Sequence, residues 1–185
     1  MALTIKNTTK PQKRKSNGAG QARVLSSAEL ESLIGLMDNR WATIFSLCYL
    51  MGSRVSEVLG LEAEDIGDEL ITLRPSDTKT KTTRQIAITD DIREVLDSYQ
   101  RMPKSGLLFE GGKRGMGTGK PISRASAHKA LDKVATKLLG PDHGVSTHSF
   151  RRSFATHLKE AGWQIANIQD VLGHTDVMTT ARYIG

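Results

Sequence analysis

The chain has 185 residues, of which 38% are apolar and 25% are charged, and these proportions are ordinary for one soluble globular domain. No apolar run reaches the roughly 18 residues that a membrane-spanning helix requires, and the first residues lack the apolar core of a secretory signal. The single cysteine excludes a disulfide framework and a thiolate metal cluster. We therefore expect a cytoplasmic protein with no membrane partner.

Positive charge is concentrated in two parts of the chain, although the net charge is only +6. Residues 1–24 carry six basic and no acidic side chains, and residues 74–152 carry a net charge of +8. Residues 25–73, by contrast, carry a net charge of −7. Such basic segments are typical of proteins that bind a polyanion, with nucleic acid as the leading candidate. A lysine-rich solvated surface is the alternative.

Two domains of different character are predicted. Residues 1–24 are expected to form a disordered basic arm, because they contain almost no large apolar side chain to offset the entropy of ordering. Its candidate phosphate-binding side chains are Lys10, Lys13, Arg14 and Lys15. Residues 25–185 are expected to fold, beginning at a capping box formed by Ser26 and Glu29.

The periodicity of apolar residues and the position of helix breakers predict the remaining elements. A first helix follows the capping box, and a buried helix over 41–51 ends at Gly52. The further elements, in chain order, are a helix over 53–59, a hairpin of strands 70–74 and 84–88, a helix over 91–101, a short strand over 107–109, a glycine-rich loop over 111–119, helices over 123–138, 148–161 and 163–172, and a short last helix leading to Tyr183. The fold class is therefore α+β, mostly helical, with a small antiparallel sheet.

Several polar side chains form a pattern that suits phosphoryl transfer. His148 and Arg151 are one helical turn apart on the same face. His174 follows a helix-ending glycine, Tyr183 lies nine residues further, and Arg54 begins the third helix. Two guanidinium groups can bind the oxygens of a phosphodiester, and a phenol can attack its phosphorus. No carboxylate cluster of the kind that binds Mg²⁺ is visible, so we expect neither a metal nor another cofactor.

The combined pattern resembles the catalytic boxes of the tyrosine recombinases, the phage integrase family. The matching segments are Gly-Ser-Arg-Val-Ser-Glu around Arg54, His148-x-x-Arg151, Leu-Gly-His174 and Tyr183, and the resemblance covers residues 25–185. It implies a tyrosine recombinase catalytic-domain-like helical bundle with a small antiparallel hairpin. It also implies an enzyme that cleaves and rejoins double-stranded DNA at specific sites, independently of metal, through a 3′-phosphotyrosyl intermediate.

The resemblance implies a role for each matching residue. Arg54 and Arg151 would bind the scissile phosphate, and Tyr183 would attack it. His148 would assist proton transfer, and His174 would hydrogen-bond the phosphate and orient the site. Taken singly, each of these residues also has a structural explanation, so the prediction depends on their joint order and spacing.

Two further roles are implied near the first arginine and in the hairpin. Glu57, one turn after Arg54, resembles the acidic residue that supports that arginine in the family. The hairpin lysine that protonates the leaving 5′-oxygen is Lys79 in the alignment that we favour. A shorter turn would place Lys81 there instead.

The resemblance also predicts partners and leaves alternatives open. It implies a homo-tetramer assembled on DNA from free monomers, of bacterial, phage or plasmid origin. Because little precedes the first helix, the chain resembles the minimal catalytic-domain-only invertases or is a fragment. Because two residues follow Tyr183, we expect assembly of the tetramer to need help, for example from an accessory DNA-bending protein. The alternative functions are a non-catalytic DNA-binding regulator with this fold and a type IB topoisomerase-like nicking and closing enzyme.

Overall fold

The computed structural model describes residues 22–74, 83–112 and 117–173, together with residue 180. These residues form a mostly helical α+β fold with one two-stranded antiparallel sheet, which confirms the predicted fold class. The elements in chain order are α1 (Ser27–Gly35), α2 (Asn39–Leu50), α3 (Val55–Leu59), a 3-10 turn (Ala63–Asp65), β1 (Leu70–Leu73), β2 (Arg84–Ala87), α4 (Asp90–Asp97), α5 (Arg124–Leu139), α6 (Thr147–Glu160) and α7 (Ile165–Leu172).

The first helix begins at the predicted capping box. The Ser26 hydroxyl accepts from the Glu29 amide at 3.3 Å, and the Glu29 carboxylate accepts from the Ser26 amide at 2.9 Å. These two bonds satisfy amides that have no partner within the helix. Leu25, just before the cap, is fully buried, and its amide donates to the hydroxyl of Ser153 at 2.7 Å. This segment of the chain is therefore held against α6.

The core forms around α2, against which α1, α3, α4 and α6 pack. Phe45 of α2 and Phe150 of α6 are fully buried, and their rings stack with centroids 4.8 Å apart. Burial of an aromatic side chain contributes roughly 1.5–3 kcal/mol through the hydrophobic effect. This contact fixes α6 against α2 and so determines where the side chains on the rest of α6 lie.

The hairpin is shorter than predicted but has the expected topology. β1 and β2 are antiparallel, with Ile71 opposite Ile86 and Leu73 opposite Arg84. Ile71 and Leu73 are buried on the face that meets the core. The segment that joins the strands, residues 75–82, lies outside the described residues.

The predicted type or extent of several elements differs from the structure. The segment 107–109 is not a strand, because Leu107 makes only an isolated bridge to Glu62. α4 ends at Asp97 and not near residue 101. There the Asn39 side chain donates to the Ser98 carbonyl and accepts from the Gln100 amide, and these bonds replace those of a continued helix. α3 begins at Val55, because the two residues before it are needed for the turn described below.

None of the helices in the described part of the chain is long and apolar enough to cross a membrane.

Candidate active site

The turn between α2 and α3 positions Arg54. The chain leaves α2 through Gly52, whose φ of +55° is accessible to glycine at little cost. A Cβ at Gly52 would lie only 2.5 Å from the ring of Phe154, so the close approach of α6 also requires glycine. The amide of Ser53 donates to the Cys48 carbonyl at 3.0 Å and closes the turn. Arg54 then occupies the N-cap position of α3 in an extended conformation.

Glu57 stabilises the start of α3. The guanidinium of Arg54 has no acceptor for the amides of the first turn, whereas the Glu57 carboxylate accepts from the backbone amide of Arg54 at 2.6 Å. Its other oxygen accepts from Arg54 Nη1 at 3.1 Å. The carboxylate therefore holds both the backbone and the guanidinium of Arg54.

Arg151 reaches the same carboxylate from α6. Its Nη1 donates to the Gly52 carbonyl at 2.8 Å, and its Nη2 donates to the Leu172 carbonyl at 2.7 Å. Nη1 also lies 3.8 Å from Glu57 Oε2. The side chain is only 2% exposed, whereas that of Arg54 is 38% exposed. An anion from solvent can thus reach Arg54 directly, and it reaches Arg151 only after the groups that enclose that side chain move.

A third arginine, Arg84 of β2, converges on this point and was not predicted from the sequence as a site residue. Its guanidinium donates to the Val171 carbonyl and, at 2.8 Å, to the Ser53 hydroxyl. Nη2 lies 3.9 Å from Glu57 Oε2, and the side chain is 15% exposed. The only signal in the sequence was an arginine at the start of a short strand, which is equally compatible with a solvated hairpin.

In the described part of the site, three guanidinium groups surround one carboxylate. Arg54, Arg84 and Arg151 all lie within 4 Å of Glu57. Arg84 and Arg151 are shielded from water, so screening by solvent and salt is weaker for them than at an exposed surface. The arrangement favours an anion beside Arg54.

His148 lies in the first turn of α6, one turn before Arg151. The ring is exposed. Partial desolvation, followed by the positive charges of Arg151 and Arg54, lowers the pKa of His148 below its usual value. The neutral imidazole, which can accept a proton, is therefore favoured near neutral pH.

The structure brings four of the predicted residues into one region: Arg54, Glu57, His148 and Arg151. The other predicted site residues lie outside the described residues, so their placement stays a prediction: Lys79, Lys81, His174, Tyr183 and the arm residues Lys10, Lys13, Arg14 and Lys15. Among the described residues, no three His, Cys, Asp or Glu side chains form a group that could bind a metal ion.

The chain is similar to proteins of known family over most of its length. The model described as the phage integrase family matches residues 23–185. Tyrosine recombinase XerC of Mesorhizobium japonicum is 34% identical over 152 residues, which cover 79% of this chain and 46% of that protein. The chain thus spans about half the length of this curated relative.

Solved structures share the fold. The XerA recombinase superposes with a TM-score of 0.73 at 26% identity, covering 95% of this chain and 62% of that chain. The Tn1549 transposon integrase superposes with a TM-score of 0.72 at 17% identity, covering 92% of this chain and 64% of that chain. At so low an identity, the second comparison concerns the fold alone.

Proposed function

This chain belongs to the phage integrase family, and on that basis we propose that it cleaves and rejoins double-stranded DNA at specific sites through a 3′-phosphotyrosyl intermediate. The observation that carries the proposal is the convergence of Arg54 and Arg151, from two separate helices, on the carboxylate of Glu57. The relative that supports this reaction class is tyrosine recombinase XerC, at 34% identity.

The two arginines are proposed to bind the scissile phosphate. A phosphodiester repels nucleophiles, and negative charge on its non-bridging oxygens increases as the attacking atom approaches. Guanidinium groups bind such oxygens through paired, permanently charged donors, and donors held in place before the reaction stabilise the transition state most effectively. Because the Arg54 side chain is 38% exposed, the phosphate contacts it first. The phosphate then contacts Arg151, once the groups that enclose the Arg151 side chain have moved.

Tyr183 is the proposed nucleophile. Its phenol oxygen forms a bond to phosphorus, the bond between phosphorus and the 5′-oxygen breaks, and the 3′-phosphate stays attached to tyrosine. The phenol proton passes to the neutral imidazole of His148, whose lowered pKa keeps it available as a base. Lys79, or Lys81 in the shorter turn, protonates the departing 5′-oxygen. Attack by a 5′-hydroxyl on the phosphotyrosyl bond then rejoins DNA by the reverse steps.

The remaining predicted residues complete the proposal. His174 hydrogen-bonds the phosphate. The arm residues Lys10, Lys13, Arg14 and Lys15 bind DNA phosphates without reading sequence, because such contacts are electrostatic. Strand exchange requires two pairs of cleavages, so the proposed working unit is a homo-tetramer assembled on DNA.

Covalent trapping on DNA tests the proposal. The protein is incubated with nicked suicide substrates from a genomic or randomised pool, and DNA that stays attached on a denaturing gel is sequenced. We expect a protein–DNA band that is lost in Tyr183→Phe and strongly reduced in Arg54→Gln. Arg54 is the better arginine to replace, because its side chain is 38% exposed. The Arg151 side chain is only 2% exposed, so replacing it would destabilise the fold.

A matched control is available on α4. Arg93 is exposed, and its guanidinium donates to the Asp68 carbonyl at the start of the hairpin. Arg93→Gln removes the same charge without touching Glu57, so it should retain the covalent band. A protein that binds DNA but gives no band with any substrate would contradict the proposed activity and favour a DNA-binding regulator.

A further inference from the structure

The side chain of Arg84 joins three elements that are distant in sequence. It extends from the first residue of β2 to the Ser53 hydroxyl in the turn before α3, at 2.8 Å. It also donates to the Val171 carbonyl in the last turn of α7. A Cβ at Gly173 would lie 3.4 Å from Arg84 Cδ, so the end of α7 packs directly along this side chain.

Arg84 and Arg151 together cap α7. The last carbonyls of a helix have no partner within it, and here the carbonyls of Val171 and Leu172 accept from these two guanidinium groups. Positive charge at a helix C-terminus is also favoured by the helix dipole. The two arginines thus hold the end of α7 from opposite neighbours, the hairpin and α6.

The same two guanidinium groups meet at one oxygen of Glu57. Oε2 lies 3.9 Å from Arg84 Nη2 and 3.8 Å from Arg151 Nη1, and it accepts from the amide of Arg54 at 2.6 Å. Both guanidinium groups therefore attract this oxygen. Without Arg84, the attraction of Arg151 would no longer be shared, and a shift of the carboxylate would also move the Arg54 guanidinium that it holds.

The stability of the fold does not by itself explain why residue 84 is an arginine. The guanidinium is largely removed from water, and this burial, opposed by the charge of Glu57, lowers the pKa of Arg84. Replacing buried charged groups with apolar ones of similar size is often neutral or stabilising. What an apolar side chain could not do is bridge the turn, the carboxylate and the helix end through donors of fixed geometry.

We propose that Arg84 is a positioning residue, which holds Glu57 and the end of α7 so that Arg54 and Arg151 can bind one phosphate together. It acts through those two arginines and does not itself contact DNA. This inference rests on the proposed function and adds a residue to it.

The test compares cleavage of two substrates by Arg84→Gln and by the wild type. One substrate has an ordinary phosphodiester at the cleavage site. The other has a methylphosphonate there, tested as separate stereoisomers, in which a methyl group replaces one charged oxygen and the reaction depends less on guanidinium groups. A displacement of about 1 Å at a reacting group costs on the order of 100-fold in rate. We therefore expect about a 100-fold loss on the phosphodiester and only a few-fold loss on the methylphosphonate.

Two further measurements separate positioning from loss of structure. A variant that is merely less well folded loses the same factor on both substrates, and that result would overturn the proposal. Arg84→Lys, which keeps the charge but has no planar fork, should recover part of the phosphodiester rate. If circular dichroism shows that Arg84→Gln does not fold, the rate losses on the phosphodiester and the methylphosphonate are compared for Arg84→Lys instead. A larger loss on the phosphodiester supports the proposal, and equal losses overturn it. Affinity for uncleaved DNA should change less than about 3-fold, in contrast to the rate loss on the order of 100-fold.

The matched control is again Arg93→Gln, which should cleave both substrates as the wild type does. The wild type is tested first for covalent product on the phosphodiester. Absence of product there would contradict the proposed function, whereas equal losses on the two substrates in an active enzyme would contradict only the role of Arg84.

Discussion

Glu57→Gln provides the sharpest test of the electrostatic arrangement. The substitution keeps the shape of the side chain and an oxygen that accepts from the Arg54 amide, but it removes the negative charge shared by three guanidinium groups. The Arg54 side chain is 38% exposed, so its ion pair contributes at most about 1 kcal/mol. Arg151 and Arg84 are 2% and 15% exposed, and they lie 3.8 Å and 3.9 Å from the carboxylate.

The loss should therefore come mainly from the two enclosed arginines. Removing one partner of a buried ion pair costs about 3–5 kcal/mol, because a charge is left without compensation. The retained amide oxygen places Glu57→Gln near the lower end of this range, at about 3 kcal/mol. For a chain of this length, that corresponds to a decrease in Tm of about 6–12 °C.

Urea denaturation and thermal unfolding followed by circular dichroism measure this loss. Glu94→Gln, an exposed glutamate on α4, is the control and should stay within about 0.5 kcal/mol of the wild type. If repulsion among the remaining arginines is the cause, the double variant Glu57→Gln/Arg84→Gln should be at least about 1 kcal/mol more stable than additive losses predict. If Glu57→Gln is as stable as the control, or if the losses are strictly additive, Glu57 does not hold the three guanidinium groups together in this way.

Three further predictions concern the histidine, the turn and the basic arm. In an NMR titration, the pKa of the His148 imidazole should lie below its usual value, and Arg54→Gln should raise that pKa because a nearby positive charge is removed. A pKa at or above 6.5 in the wild type would contradict this prediction. Gly52→Ala should destabilise the fold by more than 1 kcal/mol in urea, because φ is +55° and the new methyl group would lie 2.5 Å from the Phe154 ring; an unchanged midpoint would contradict it. Deleting residues 2–21 removes five basic side chains, so the slope of log affinity for DNA against log salt should become shallower by up to about 4.5; an unchanged slope would show that the arm does not bind phosphates.

Local signals in the sequence predicted much of the fold. The capping box at Ser26 and Glu29 and the break at Gly52 depend on interactions between residues close in the chain, so their patterns could be recognised directly. The contact between Arg54 and Glu57, a residue that the family resemblance singled out, is also local, since one helical turn separates them. Such contacts need no knowledge of how distant segments pack.

Contacts between distant segments were the part that the sequence could not predict. Arg84 reaches Val171 and Ser53 across 87 and 31 residues, and nothing in its own strand indicates that it turns inward. The enclosure of Arg151 is likewise a consequence of packing between α6, the turn at Gly52 and the end of α7. An arginine in a motif reveals its chemistry but not its accessibility.

The predicted strand over 107–109 also depended on contacts with distant segments that the sequence does not reveal. Two of its three apolar residues are buried, Leu108 and Phe109, at 3% and 0% exposure. Their backbone, however, bonds to two separate segments, through Leu61 and Ile122, and no regular ladder forms. An apolar run predicts burial well, but whether it forms a strand depends on which segments lie beside it.

The proposed reaction joins Tyr183 to the 3′-phosphate of cleaved DNA. Digesting the trapped complex with nuclease and protease, and identifying the modified peptide by mass spectrometry, tests this bond. We expect a nucleotide phosphate on Tyr183 and a free 5′-hydroxyl on the released strand, which polynucleotide kinase labels without prior phosphatase treatment. Attachment to another residue, or linkage through a 5′-phosphate, would contradict it.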